Sequence, residues 1–257
     1  MKMFRQTASR EIKNVWDGRV EPFAITDNLY FVGTYQASSH LIDTGDGLIL
    51  IDTGYAETLY LVVDSIRALG FDPKDIKYII NTHWHGDHAA ATAPLAGLSG
   101  AKTLIGEPDY ENAKKHFEAD ILIKDGDSLS LGNTKIDFML TPGHTAGTIS
   151  FFFDSNIGSN VYRVGSFGGA GANTLVPARY DFDGCREAYF ASLEKLSKEK
   201  VDIFIGNHTW NNDTEGKGKH LLKTGENLFL DSSLWLKFLN SCKERLENII
   251  AKENESK

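Results

Sequence analysis

The hexapeptide His83-Trp84-His85-Gly86-Asp87-His88 holds three of the chain's eight histidines. His83 and His85 are two apart, so in extended backbone both imidazoles project to one side and can grip one metal ion. Gly86 lets the chain turn sharply. Asp87 and His88 open a run of good helix formers, Ala89-Ala90-Ala91-Thr92-Ala93, which places them at a helix start, facing a second ion beside the first. Four ligand-type side chains do not complete two zinc spheres, because a catalytic zinc takes about three protein ligands and keeps one position open. Two more ligands must come from elsewhere. His144, in Thr141-Pro142-Gly143-His144-Thr145, and His208, in Gly206-Asn207-His208, both follow strand-like runs, as the hexapeptide does.

On either side of the hexapeptide the chain alternates short strands with turns and helices. Strands are expected at 23–26, 29–33, 39–43 and 48–52, with turns at Asp27-Asn28 and Gly45-Asp46-Gly47. Leu59, Val62, Val63, Ile66 and Leu69 recur at helical spacing and Gly70 stands at the expected C-terminal position, so 58–69 reads as one amphipathic helix. A strand at 76–81 leads into the histidines. A second series is expected at 102–105, 121–123, 134–140, 148–153 and 161–165, with a turn over 154–160. A helix at 185–198, a strand at 201–205, a loop to about 224 and a terminal helix over about 226–252 complete the chain. Strands then helix, twice over, predicts an α/β (α+β) chain of two packed sheets with helices outside. No linker or compositional break divides it, so 1–257 reads as a single domain with two similar halves.

Composition excludes several classes. The 257 residues are 41% hydrophobic, enough for a sizeable core, and Asp plus Glu exceed Lys plus Arg by 35 to 27, a formal charge of −8. That is the wrong sign for holding a nucleic acid. No apolar run approaches the roughly 20 residues that span a bilayer, and no secretory signal follows the N-terminal basic residues. The chain as written therefore reads as cytoplasmic, or as periplasmic or secreted if it is a trimmed mature form. Two lone cysteines, Cys185 and Cys242, exclude a disulfide framework and a Cys-rich zinc site.

The histidine motif is similar to the His-x-His-x-Asp-His signature of the metallo-β-lactamase superfamily. The wider pattern resembles that family as well: Leu48-Ile49-Leu50-Ile51-Asp52-Thr53-Gly54 before the first helix, Thr141-Pro142-Gly143-His144-Thr145 after the motif, and a late strand leading to His208. The resemblance covers about residues 23–210. It implies a four-layer αββα sandwich and two Zn2+ ions, one on His83, His85 and His144 and one on Asp87, His88 and His208, with Asp52 structural. The metal-bridging Asp of many family hydrolases is missing from 161–165, and Ser166 stands near the place of the B1 cysteine, so the ligand set resembles subclass B3.

The resemblance also implies metal-assisted hydrolysis of an amide or ester carbonyl in a small-molecule substrate, with no serine or cysteine nucleophile. Asp87, His83, His85, His144 and His208 carry the catalysis, and a β-lactam is the leading substrate. The rival readings are a cytoplasmic lactonase or other ester hydrolase, and an iron-dependent oxidoreductase. Oligomeric state is left open. Ser166, Trp84, Tyr35, Asn173 and Asn207, with Trp210, are candidates for the substrate cleft. Glycines 165, 168, 169 and 171 are expected to form a flexible loop at the site's edge. His40 is expected to be structural, and His116 and His220 solvated.

Overall fold

The structure is a computed structural model that describes residues 10–255. Seven strands form the first sheet in chain order: β1 (Phe23–Ala24), β2 (Leu29–Phe31), β3 (His40–Asp43), β4 (Leu48–Ile51), β5 (Ile76–Ile80), β6 (Lys102–Gly106) and β7 (Ile121–Ile123). β1 to β4 are antiparallel, and β4 to β7 are parallel. Parallel neighbours need crossover connections, supplied by helix α1 (Leu59–Ala68) between β4 and β5, by α2 (Gly86–Ala89) and α3 (Thr92–Ser99) between β5 and β6, and by α4 (Tyr110–Ala113) between β6 and β7. The second sheet has the order β12-β11-β10-β9-β8, from β8 (Ser128–Leu131), β9 (Thr134–Leu140), β10 (Ile149–Ile157), β11 (Asn160–Ser166) and β12 (Ile203–Phe204).

Side-chain alternation along each strand explains the layering. All four residues of β4 are buried, yet they serve two cores: Ile49 and Ile51 face the second sheet, while Leu48 and Leu50 face Val62 and Ile66 of α1. In β10 Phe151 and Phe153 join Ile49 and Ile51 between the sheets. Phe152 points the other way, into a core with α5 (Cys185–Leu196) and α7 (Ser233–Glu255). The order is helix, sheet, sheet, helix. Trp235 of α7 is wedged at ring-centroid distances of 6.0 Å from Phe152 and 5.6 Å from Phe204, and its Nε1 donates to the Leu196 carbonyl at 3.1 Å. The terminal helix thus docks on its own sheet.

Four expectations need correction. The stretch read as a loop to about 224 contains helix α6 (Thr214–Thr224); glycines and lysines hide its periodicity, and Gly218 is there because the Phe23 ring lies where any side chain would go. The terminal helix spans 233–255, not 226–252. Asp231 ends the turn before it by accepting from the Ser233 amide at 2.9 Å. β8 is an exposed edge strand whose Ser-Leu-Ser-Leu alternation went unread. β10 runs on to Ile157, so Asp154 lies in the ladder opposite Arg163, with which it pairs at 3.2 Å, and not in a hairpin turn.

His40 is buried in β3 with its ring against Phe31, a structural place. His116 is partly buried, and His220 pairs with Glu226 at 2.8 Å. Among the described residues no helix is long and apolar enough to cross a membrane.

Candidate metal centre

The ends of both sheets deliver the histidines to one place. β5 ends at Ile80, and the loop after it carries His83 and His85 into α2, which starts at Gly86 and holds Asp87 and His88. His144 lies between β9 and β10, and His208 follows β12. The His83 ring centre is 4.8 Å from that of His85, 4.3 Å from His88 and 4.7 Å from His144. Donor atoms of His83, His85 and His144 lie within 4.8 Å of one another, as do those of His83, Asp87 and His88. His208 stands slightly further out, with its Nε2 3.8 Å from Asp87 Oδ2 and its ring 4.9 Å from His88.

Hydrogen bonds at the rear of four rings fix their tautomers. His144 Nδ1 donates to the Gly171 carbonyl at 2.8 Å and His208 Nδ1 to the Gln36 carbonyl at 2.6 Å. His88 Nδ1 donates to Asp52 Oδ2 at 2.8 Å. The Thr82 hydroxyl gives its one proton to the same carboxylate at 2.8 Å, so it accepts from His83 Nδ1 at 3.1 Å. Each Nε2 then turns inward. Those of His83 and His88 are buried with no hydrogen-bond partner. His85 presents Nδ1, 3.0 Å from His144 Nε2, close to the roughly 3.3 Å expected of two nitrogens on one tetrahedral zinc.

The electrostatics suit a cation. Burial keeps His83 well below the ordinary imidazole value and brings His144 to about 3 and His208 to about 4, so these rings are neutral at pH 7 and free to ligate. Burial would raise Asp87, but His88, His208 and His85 hold its carboxyl far below the usual range. His88 is the exception. Burial lowers it, yet Asp87 and Asp52 on either side outweigh that and raise it to about 10. A metal ion in place of that proton would satisfy the same two carboxylates. Orphaned inward lone pairs and a lowered carboxylate are what a bound cation would complete, so these residues fit one.

Two carboxylates support the ligands: Asp52, expected to be structural, and Asp109, which carries no signal in the sequence. Asp52 sits at φ +57, a strained place for a non-glycine residue, and accepts from the Thr82 amide at 2.7 Å besides its two side-chain donors. Asp109 accepts from Trp84 N, Thr145 Oγ1 and Gly147 N at 3.2, 2.7 and 2.6 Å, tying the first histidine loop to that of His144, while burial pushes its carboxyl up to about 7. Asp52 at least ends an apolar strand; Glu107-Pro108-Asp109 reads as an ordinary turn.

With this geometry in view, the comparisons are specific. Residues 32–208 match the family model of the metallo-beta-lactamase superfamily. The chain belongs to that superfamily. Among solved structures, this metallo-beta-lactamase relative is similar to the subclass B3 metallo-beta-lactamase BJP-1 of Bradyrhizobium japonicum, at 28% identity and TM-score 0.88 over 95% of this chain and 98% of that one. It is also similar to the metallo-beta-lactamase FEZ-1 of Legionella gormanii, at 27% identity and TM-score 0.86 over 92% and 98%. A hydroxyacylglutathione hydrolase of Brucella ovis is 34% identical over 178 residues, 69% of this chain and 60% of that protein's length. The superfamily's four-layer αββα fold is the one observed.

A cavity of about 790 Å³ opens beside the histidines. Asn173 and Trp210 line it, and Trp210 stacks on His208 at 4.5 Å and 8°. The other cleft candidates lie elsewhere. Ser166 is buried at the end of β11, Trp84 packs behind His85 under Lys115, and Asn207 is buried, donating to the Gly168 carbonyl at 2.7 Å. Tyr35 is a buried ring 6.1 Å from Trp210.

The glycine run is packed rather than a flexible edge. A Cβ on Gly169 would lie 2.8 Å from that of His144, and one on Gly171 would lie 3.1 Å from the His144 ring. The backbone must pass close there to offer its carbonyl to Nδ1.

Proposed function

We propose that the chain is a zinc-dependent hydrolase of amide or ester carbonyls, with β-lactams as its substrates, built as a single domain around two Zn2+ ions. The observation that carries this reading is the ring of inward-turned Nε2 atoms on His83, His88, His144 and His208, each fixed from behind, with Asp87 among them. Zinc held there supplies Lewis acidity and a water-derived nucleophile of near-neutral pKa. His83, His85 and His144 would hold one ion, and Asp87, His88 and His208 the other. Asp52 keeps the His88 proton on Nδ1, and Thr82 does the same for His83. The Asp87 carboxylate is ionised across the working pH range and is placed to orient a nucleophile by accepting its proton's hydrogen bond. Trp210 and Asn173 line the substrate's side of the cleft.

Similarity to B3 enzymes over nearly the whole chain favours a β-lactam. The 34% identity to a hydroxyacylglutathione hydrolase supports a second reading, a thioester hydrolase. Rates of the zinc-loaded protein on a chromogenic cephalosporin, S-lactoylglutathione and an acyl-homoserine lactone separate these. A cephalosporin rate that exceeds the metal-stripped background and disappears in His85→Ala supports the proposal. A cephalosporin rate no higher than background removes it, and unchanged zinc content and turnover in His85→Ala removes the ligand assignment.

A further inference from the structure

One cation of the cleft is left without a partner. Arg245, on α7, lines the cavity that holds Asp87 and His208, yet only 9% of its surface is exposed. Its single hydrogen bond runs from Nη1 to the Ala170 carbonyl at a long 3.3 Å, and Nε is buried with no acceptor. The other arginines in comparable settings are neutralised: Arg163 meets Asp137 at 2.7 Å and Asp154 at 3.2 Å, and Arg186 meets Glu253 at 2.5 Å. Among the described residues Arg245 forms no ion pair. A guanidinium removed from water is unfavourable unless an anion answers it, so its position calls for an acceptor from outside the chain.

The cleft tells where that acceptor belongs. Asn248, Ile249 and Lys252 follow Arg245 at the three-, four- and seven-residue spacings that share one helix face, and all line the same cavity. That wall is cationic, and among the described residues the only carboxylate lining the cavity, Asp87, lies beside His88 and His208. Arg245 is also coupled to the metal centre by position. The carbonyl it donates to is that of Ala170, and the next carbonyl along, that of Gly171, accepts from His144. Arg245, Asp87 and His208 line one cavity of about 790 Å³, so a single small molecule held there can face both the guanidinium and the histidines.

We propose that Arg245 is a substrate-binding residue that recognises a carboxylate on the acyl substrate, fixing the anion against α7 while the scissile carbonyl lies at the histidine cluster. The inference rests on the hydrolase reading and narrows it to anionic acyl substrates, such as a lactam or thioester bearing a carboxylate, over neutral lactones. Planar, two-pronged donation suits a carboxylate.

The test is equilibrium binding of benzoate and of benzamide, its neutral counterpart of like shape, to the zinc-loaded full-length protein, followed by tryptophan fluorescence or calorimetry. Wild type is expected to bind benzoate at least about 10-fold more tightly than benzamide. Arg245→Met should weaken benzoate about 10-fold and leave benzamide within about twofold, with Arg245→Lys between the two. Equal binding of the two probes to wild type overturns the proposal, a result that needs no variant to fold. So does a parallel loss of both probes in Arg245→Met, which would make the arginine a prop for the Ala170 turn. An unchanged benzoate preference in Arg245→Met puts the carboxylate on zinc and overturns the proposal as well. Because no turnover is read, a protein that loses its benzoate preference in Arg245→Met but hydrolyses nothing keeps this anion subsite and loses the hydrolase reading. An active enzyme with no benzoate preference does the reverse.

Discussion

Replacing Asp52 with Asn tests how the chain holds its metal without touching a proposed ligand. Asn tolerates the left-handed backbone that Asp52 adopts at φ +57, so the exchange adds little backbone strain. Its amide oxygen can still accept from the Thr82 amide, 2.7 Å from Oδ1 now. The NH2 group then faces the two partners of Oδ2, the Thr82 hydroxyl and His88 Nδ1, each at 2.8 Å. To avoid two hydrogens meeting, His88 must move its proton to Nε2, and the lone pair that faced the metal site is lost. Losing a carboxylate behind a ligating histidine typically costs 10–100-fold in metal affinity, or about 1.4–2.7 kcal/mol. Zinc affinity is measured by competition with a chromogenic chelator, with thermal unfolding as a check on the fold. The reasoning predicts a folded Asp52→Asn protein with zinc affinity lowered by that factor and activity partly restored at high zinc. Affinity within twofold of wild type would refute the orienting role.

Further outcomes follow from other places in the fold. His40 is fully buried and its pKa falls to about 3 from 6.5, because burial disfavours the charged ring. The unfolded chain then binds the extra proton first, so stability is complete above about pH 6.5 and is lost as pH falls toward 3; wild type should lose about 2 kcal/mol more than His40→Leu between pH 7 and pH 5, measured by urea unfolding. Gly169→Ala puts a methyl 2.8 Å from the His144 Cβ, so zinc content should fall more than the unfolding temperature does; equal zinc content would show that the loop yields. Trp235→Ala empties a site between Phe152 and Phe204 and should cost about 3–5 kcal/mol of stability by chemical denaturation, with zinc affinity unchanged in the protein that remains folded.

The fold was legible where burial and periodicity agree. Leu48 to Ile51 reads as a strand because both faces of β4 are covered, and the α1 face repeats at helical spacing. α6 was not legible, because Gly218 yields to the Phe23 ring and Gly216 to Asp213, which leaves the sequence without an apolar stripe. β8 escaped because an edge strand of alternating Ser and Leu carries little apolar weight. In the site the six ligand-type residues stand out by chemistry and position, whereas their supports, Asp52 apart, do not. Carbonyls of Gln36 and Gly171 have no side-chain signature, and Arg245 on a surface-like helix gives no sign in sequence that it reaches a cleft. Ser166 and Asn207 were chosen for chain position alone, and both side chains are buried, outside the residues that line the cleft.

The central claim is a pair of zinc ions held by these particular side chains. Anomalous diffraction at the zinc edge from crystals of the zinc-loaded protein measures it directly. Two peaks are predicted, one bounded by His83, His85 and His144 and one by Asp87, His88 and His208. Zinc bound only at other residues, or these side chains ordered with no peak between them at saturating zinc, would contradict it.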